Sequence, residues 1–223
     1  MEHIDRELLY TDAVYRFKYV ASFMNFGQDD IDAIHAVAPG IKPLVPAVVD
    51  GVYNKLHSFD ITWAFMAKRH EGFTPKGNVI EDVNKLGEND EQIKFRKDFL
   101  TRYLARLVDN PYDEKMIKYL DYVAKIHTDT PGKKSKINVD LIHCNALLGY
   151  VETLLIGGVN SLTDVDQETK NKAIVAFGKL LWIQMDFFIK YYCKDGAEYR
   201  EDTAVAIVPP KAPLWSRILR WFM

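Results

Sequence analysis

From Tyr119 to His127, the residues Tyr119, Leu120, Val123 and His127 fall on one helical face, and Thr128-Asp129-Thr130-Pro131-Gly132 then breaks the run. Apolar residues at this spacing commit the segment to a helix with one side in a core, and they put an imidazole on the last turn of that side. A histidine so placed is either a metal ligand or a core residue satisfied by a backbone carbonyl, and spacing leaves both readings open.

The same periodicity recurs along the chain. Ile31, Ile34, Ile41, Leu44, Val45, Val48, Val49, Val52 and Leu56 fall mostly three and four apart, interrupted by Pro39-Gly40 and Pro43. This predicts two successive helices, the first opening at an acidic cap, Asp29-Asp30, the second carrying Tyr53 at the edge of its apolar face. From Ser58 to Asn89, Trp63, Phe65 and Phe73 stand among Gly72, Pro75, Gly77 and Gly87, which predicts one short helix and a long loop. Ile93, Phe99, Leu100, Tyr103, Leu104 and Leu107 predict a helix that Asp109-Asn110-Pro111 ends. Further helices are predicted over about 113–127, 139–159 and 166–193, the last capped by Asp164 or Asp166. With no alternating strand pattern of useful length and no internal repeat, the chain reads as all-α with six to eight helices.

At 223 residues and 48% hydrophobic, one domain is the default. A net charge of -2 provides no basic field, so nucleic acid is not an expected partner. Cys144 and Cys193 form no metal-type or redox-type pair, the segment Met1 to Glu7 is polar, and no stretch approaches the roughly 20 apolar residues of a membrane span. A soluble cytoplasmic protein is expected. A domain over 1–195 is followed by an extension over 196–223, in which Trp215, Ile218, Leu219 and Phe222 form one stripe of a short amphipathic helix. That stripe suits docking on protein or on lipid. With Lys211, Arg217 and Arg220 the three cations around that helix, membrane contact is possible but docking on protein is favoured.

The helix from Lys94 to Leu107, the Tyr112 turn, the segment Leu120 to His127, the Val52-Tyr53 pair and the helix from Asn138 through Leu148 together resemble the globin-sensor superfamily. The likeness is closest to single-domain protoglobins and their stand-alone fungal relatives, over residues 12 to 195. It implies a globin fold with an extra N-terminal helix and a C-terminal tail helix. It also implies a pentacoordinate heme b (iron protoporphyrin IX) that reversibly binds O2, NO or CO. His127 matches the proximal iron ligand of that family and Tyr53 its distal tyrosine. Leu100 falls where archaeal relatives place a phenylalanine, with Phe99 beside it, and Val52 where they place a tryptophan; both departures remove aromatic bulk over the iron.

These assignments are chemically coherent. A neutral His127 ligates through one ring nitrogen while the other donates to a carbonyl one turn earlier, near Val123. Leu100, Tyr103, Leu104 and Leu147 would exclude water. With no Cys-x-x-Cys-His motif, haem attachment is non-covalent. His57, one turn after Tyr53, is a secondary candidate for the iron. His143 and Cys144 read as packing residues, and His3, His35 and His70 carry no spacing signal.

The expected role is gas binding or sensing, the alternative a haem-free sensor or interaction module on the same fold. There is no phosphate-cradling loop, nucleophile elbow or paired catalytic carboxylates, so an enzyme using its own side chains is not expected. Nitric oxide dioxygenase or peroxidase-like turnover would be a haem-based side activity, with any sustained turnover needing a partner protein. A homodimer through the last two long helices is expected, with Trp182, Phe188 and Tyr192 facing outward.

Overall fold

Asp12 alone ends one helix and starts another: its backbone N–H bonds Leu8 O at 3.0 Å while its carboxylate accepts from Val14 N and Tyr15 N at 2.8 and 3.0 Å. The chain therefore opens with two helices, α1 (Arg6–Thr11) and α2 (Ala13–Phe23). In the computed structural model, which describes residues 1–68, 70, 73–74, 79–130 and 137–199, seven more follow. They are α3 (Gln28–Ile41), α4 (Val45–His57), α5 (Asp60–Ala67), α6 (Glu91–Asp109), α7 (Glu114–Ile126), α8 (Leu141–Ser161) and α9 (Gln167–Tyr192), with short 3-10 turns at Lys42–Leu44 and Ala197–Tyr199. Nine α-helices among the described residues exceed the expected six to eight, because a six-residue helix such as α1 is too short to display a period. No strand occurs among the described residues. The tail helix expected over Leu214–Met223 lies outside them.

The boundaries follow local chemistry. The acidic start of α3 works by reach-back: Gly27 is the N-cap, and the Asp30 carboxylate accepts its N–H at 3.0 Å. The expected interruption at Pro39-Gly40 does not occur. α3 runs through Pro39, and the break falls at the Lys42–Leu44 turn, where Pro43 and then Pro46 take first-turn positions that need no N–H. Gly40 lets α8's far end approach, since a Cβ there would lie 2.6 Å from the Leu162 side chain. Asp166, not Asp164, caps α9, accepting from Thr169 N at 3.0 Å.

The centre of the fold is α9, which packs against α3, α8, α7 and α2. Its core side chains Phe177, Leu180, Ile183 and Phe187 are at most 1% exposed. Three ion pairs key it to its neighbours: Asp186 with Arg16 of α2 (2.6 Å), Lys179 with Asp30 of α3 (2.8 Å) and Lys190 with Asp121 of α7 (2.8 Å). Pairs taken so far from water contribute more to register than to net stability. Among the described residues α8 alone is long and apolar enough to cross a membrane by length and composition; it packs along α9, α4 and α3.

Candidate functional site

The helix α7 starts at Asp113, whose carboxylate accepts Met116 N at 2.9 Å, and ends with His127 as its C-cap. His127 Nδ1 lies 2.7 Å from Val123 O. A carbonyl only accepts, so Nδ1 carries the proton and Nε2 is the basic nitrogen of the neutral ring. The backbone of His127 is held as firmly: its carbonyl accepts from Val139 N at 2.9 Å and from the Tyr192 hydroxyl at 3.2 Å. The Tyr192 hydroxyl shares its one proton between that carbonyl and Val139 O, so one phenol joins the ends of α7 and α9 to the approach of α8. Phe188 of α9 stands edge-on to the imidazole, ring centroids 5.5 Å apart. Thr128, 2% exposed, donates from Oγ1 to Lys125 O and closes the turn.

The preceding helix α6 joins α7 through a four-residue link, yet the two are not a packed pair; α6 lies on α4 and α3, α7 on α9 and α2. They meet through the Tyr103 and Tyr119 rings, 6.4 Å apart, and through the Arg106 guanidinium 4.3 Å over Tyr119. The half-buried apolar residues Leu100 of α6, Val123 of α7 and Leu147 of α8 pack against the core without being sealed in it.

Each residue singled out in the sequence has a definite place. Tyr53 is 6% exposed on α4, and burial raises its pKa while the charge of Arg96 opposes the rise. Lys97 Nζ sits 5.6 Å from the Tyr53 ring centre. Tyr103 is buried and donates to Gln184 Oε1 at 3.2 Å, so its hydroxyl is spent on α9. Phe99 is 44% exposed, stacked on His70 at 5.3 Å beside Phe95. His57 faces Glu88 at 3.2 Å and the Trp63 ring at 4.6 Å. Phe188 and Tyr192 do not face outward as expected: Phe188 is 5% exposed against His127, and Tyr192 is tied to the α7 end; Trp182, 60% exposed, does face solvent.

Three positions escaped the reading of the sequence. His143, expected to be a packing residue, has a buried Nε2 with no hydrogen-bond partner among the described residues, its ring 5.9 Å from Phe65 of α5. Gln184, 0% exposed, links Tyr103 to Leu120 O of α7 at 3.2 Å. Arg96 is 6% exposed and donates to Lys68 O at the end of α5. The available signal was a polar residue inside an apolar stripe: Arg96 among Ile93, Leu100 and Tyr103, and Gln184 among Leu180, Leu181 and Phe188. A small apolar cavity lined by Ile41, Val48, Leu104, Leu107, Leu155 and Phe177 includes no α7 residue and is a packing void apart from His127.

No curated protein matches the chain. The family model for protoglobins does, over residues 14–198, which takes in all the helices from α3 to α9, most of α2 and the imidazole at the end of α7. In sequence and in its all-α globin fold, the chain belongs to the protoglobin family.

Proposed function

We propose that the protein binds a b-type haem through His127 Nε2 and holds a diatomic gas on the opposite face, near Tyr53. Protoglobins typically bind haem, and globins bind diatomic gases through it. The observation that carries the reading is the bond between His127 Nδ1 and Val123 O at 2.7 Å, which orients the ring and makes Nε2 the basic nitrogen of the neutral imidazole, the atom that would ligate iron.

The residues fit this group. Among the described residues no three His, Cys, Asp or Glu side chains form a metal cage, so a metal here must bring further ligands with it, as haem iron does. The loose pairing of α6 with α7 and the His143 Nε2, which has no partner among the described residues, both suit a site built for a ligand absent from the chain. When bound, the haem supplies an iron centre with an open coordination position. The protein's part is to orient His127, to wall the cleft with Leu100, Val123 and Leu147, and to offer the Tyr53 hydroxyl as a donor.

Protoglobins are often dimeric, and a homodimer through α8 and α9 belongs to this proposal. Val175 and Trp182 on α9 are 56% and 60% exposed, and a Cβ added at Gly149 or Gly157 of α8 would meet nothing within 4 Å. Gas binding or sensing, in the cytoplasm, is the role this proposal assigns.

The test is the Soret band of the reconstituted protein. His127→Ala should lose iron ligation, and added imidazole should restore it. A His127→Ala protein with an unchanged spectrum and no imidazole would refute the assignment.

A further inference from the structure

Arg96 is the one residue on the inner face of α6 whose charge nothing in the described structure balances. It is 6% exposed, yet its five N–H donors have a single described acceptor, Lys68 O, and no described carboxylate pairs with it. Its neighbours are ordinary by comparison: Lys97 pairs with Asp50 at 2.8 Å and Arg102 with Asp98 at 2.7 Å, both towards the surface. A carbonyl at a helix end takes one N–H and a fraction of a charge. A buried guanidinium without a counter-ion carries a large desolvation penalty, and arginine does not escape it by losing its proton. Such a group is retained when something anionic comes to it.

Its position says where. Arg96 lies one turn before Leu100 on α6, which packs on α4, and its charge and the Tyr53 phenol act on each other. We propose that Arg96 is the anion receptor of this pocket, pairing with a negatively charged group that enters with the ligand. Two sources share that chemistry, a small anion on the iron and a carboxylate of the porphyrin. The proposal rests on the haem reading above.

The experiment uses the ferric haem protein as wild type, Arg96→Met and Arg96→Lys. Fluoride is the anionic probe, and carbon monoxide on the ferrous form is the neutral control. If the anion is on the iron, Arg96→Met weakens fluoride binding about ten- to a hundredfold, the range of one or two charge-assisted hydrogen bonds, with carbon monoxide affinity unchanged. Arg96→Lys, which keeps the charge, retains most of the fluoride affinity. If the anion is a porphyrin carboxylate, fluoride affinity stays constant while Arg96→Met releases haem faster. That difference vanishes with the dimethyl ester of haem. Unchanged fluoride affinity together with unchanged haem release would overturn the proposal and leave Arg96 as a cap for α5. A wild-type protein without a Soret band would instead defeat the haem reading, and this inference with it.

Discussion

Gln184→Leu should be among the most damaging near-isosteric changes in this protein, and its partner substitution should rescue part of the loss. Gln184 is 0% exposed and bridges three helices: Tyr103 of α6 donates to its Oε1 at 3.2 Å, and its Nε2 donates to Leu120 O of α7 at 3.2 Å. Leucine keeps the volume but abandons both bonds. Leu120 O, a mid-helix carbonyl, retains its intrahelical donor and loses about 1 kcal/mol; the buried Tyr103 hydroxyl is stranded at about 1–3 kcal/mol. The total, about 2–4 kcal/mol, is roughly 5–15 °C in Tm for a domain of this size. Tyr103→Phe alone strands Gln184 Oε1 at a similar cost. In the double variant neither group remains to be stranded, so the loss should fall short of the sum by about 1–2 kcal/mol. Urea unfolding of the four proteins measures this coupling. Additive losses, with coupling under about 0.5 kcal/mol, would refute the bond as the reason Gln184 is tolerated in the core.

Tyr53→Phe should speed dioxygen release about five- to thirtyfold by removing one donor; an unchanged off-rate excludes the phenol from that role. Trp182→Glu should turn a dimer into a monomer in sedimentation at tens of micromolar while changing stability by less than about 0.5 kcal/mol, since the side chain is 60% exposed. Burial pushes the Cys144 thiol up to about 11, so a disulfide reagent at pH 8 should modify the half-buried Cys193 first, as peptide mass spectrometry would reveal. The folded state holds that proton more tightly than the unfolded chain, whose thiol titrates at about 8.5. This contribution to stability is therefore complete below that pH and is lost as pH rises through about 11. Gly196 has φ +71°, and a Cβ there would lie 2.0 Å from the Tyr10 ring, so Gly196→Ala should free α1 to exchange its amides faster and leave α9 protected.

The helices were legible in the sequence because their signals are local. A stripe at three and four, an Asp before it or an Asn-Pro after it acts within a turn or two, and α6, α7 and α9 begin and end within a residue or two of where those signals stand. His127 was legible for the same reason, down to its bond with Val123, since residues four apart on a helix are neighbours wherever that helix lies. The faces of α9 were a different matter. That helix is apolar around most of its circumference, so periodicity does not say which aromatic meets which neighbour: Phe188 turned inward to His127 and Tyr192 tied off the α7 end, while Trp182 stayed outside. Arg96 and Gln184 were hidden by the rule that polar residues seek water. That rule yields only when other helices close over a side chain and offer it hydrogen-bond partners, as α5 does for Arg96 with an acceptor, and α6 and α7 do for Gln184 with a donor and an acceptor. Such partners lie tens of residues away in sequence, and only the packed bundle brings them within 3 or 4 Å.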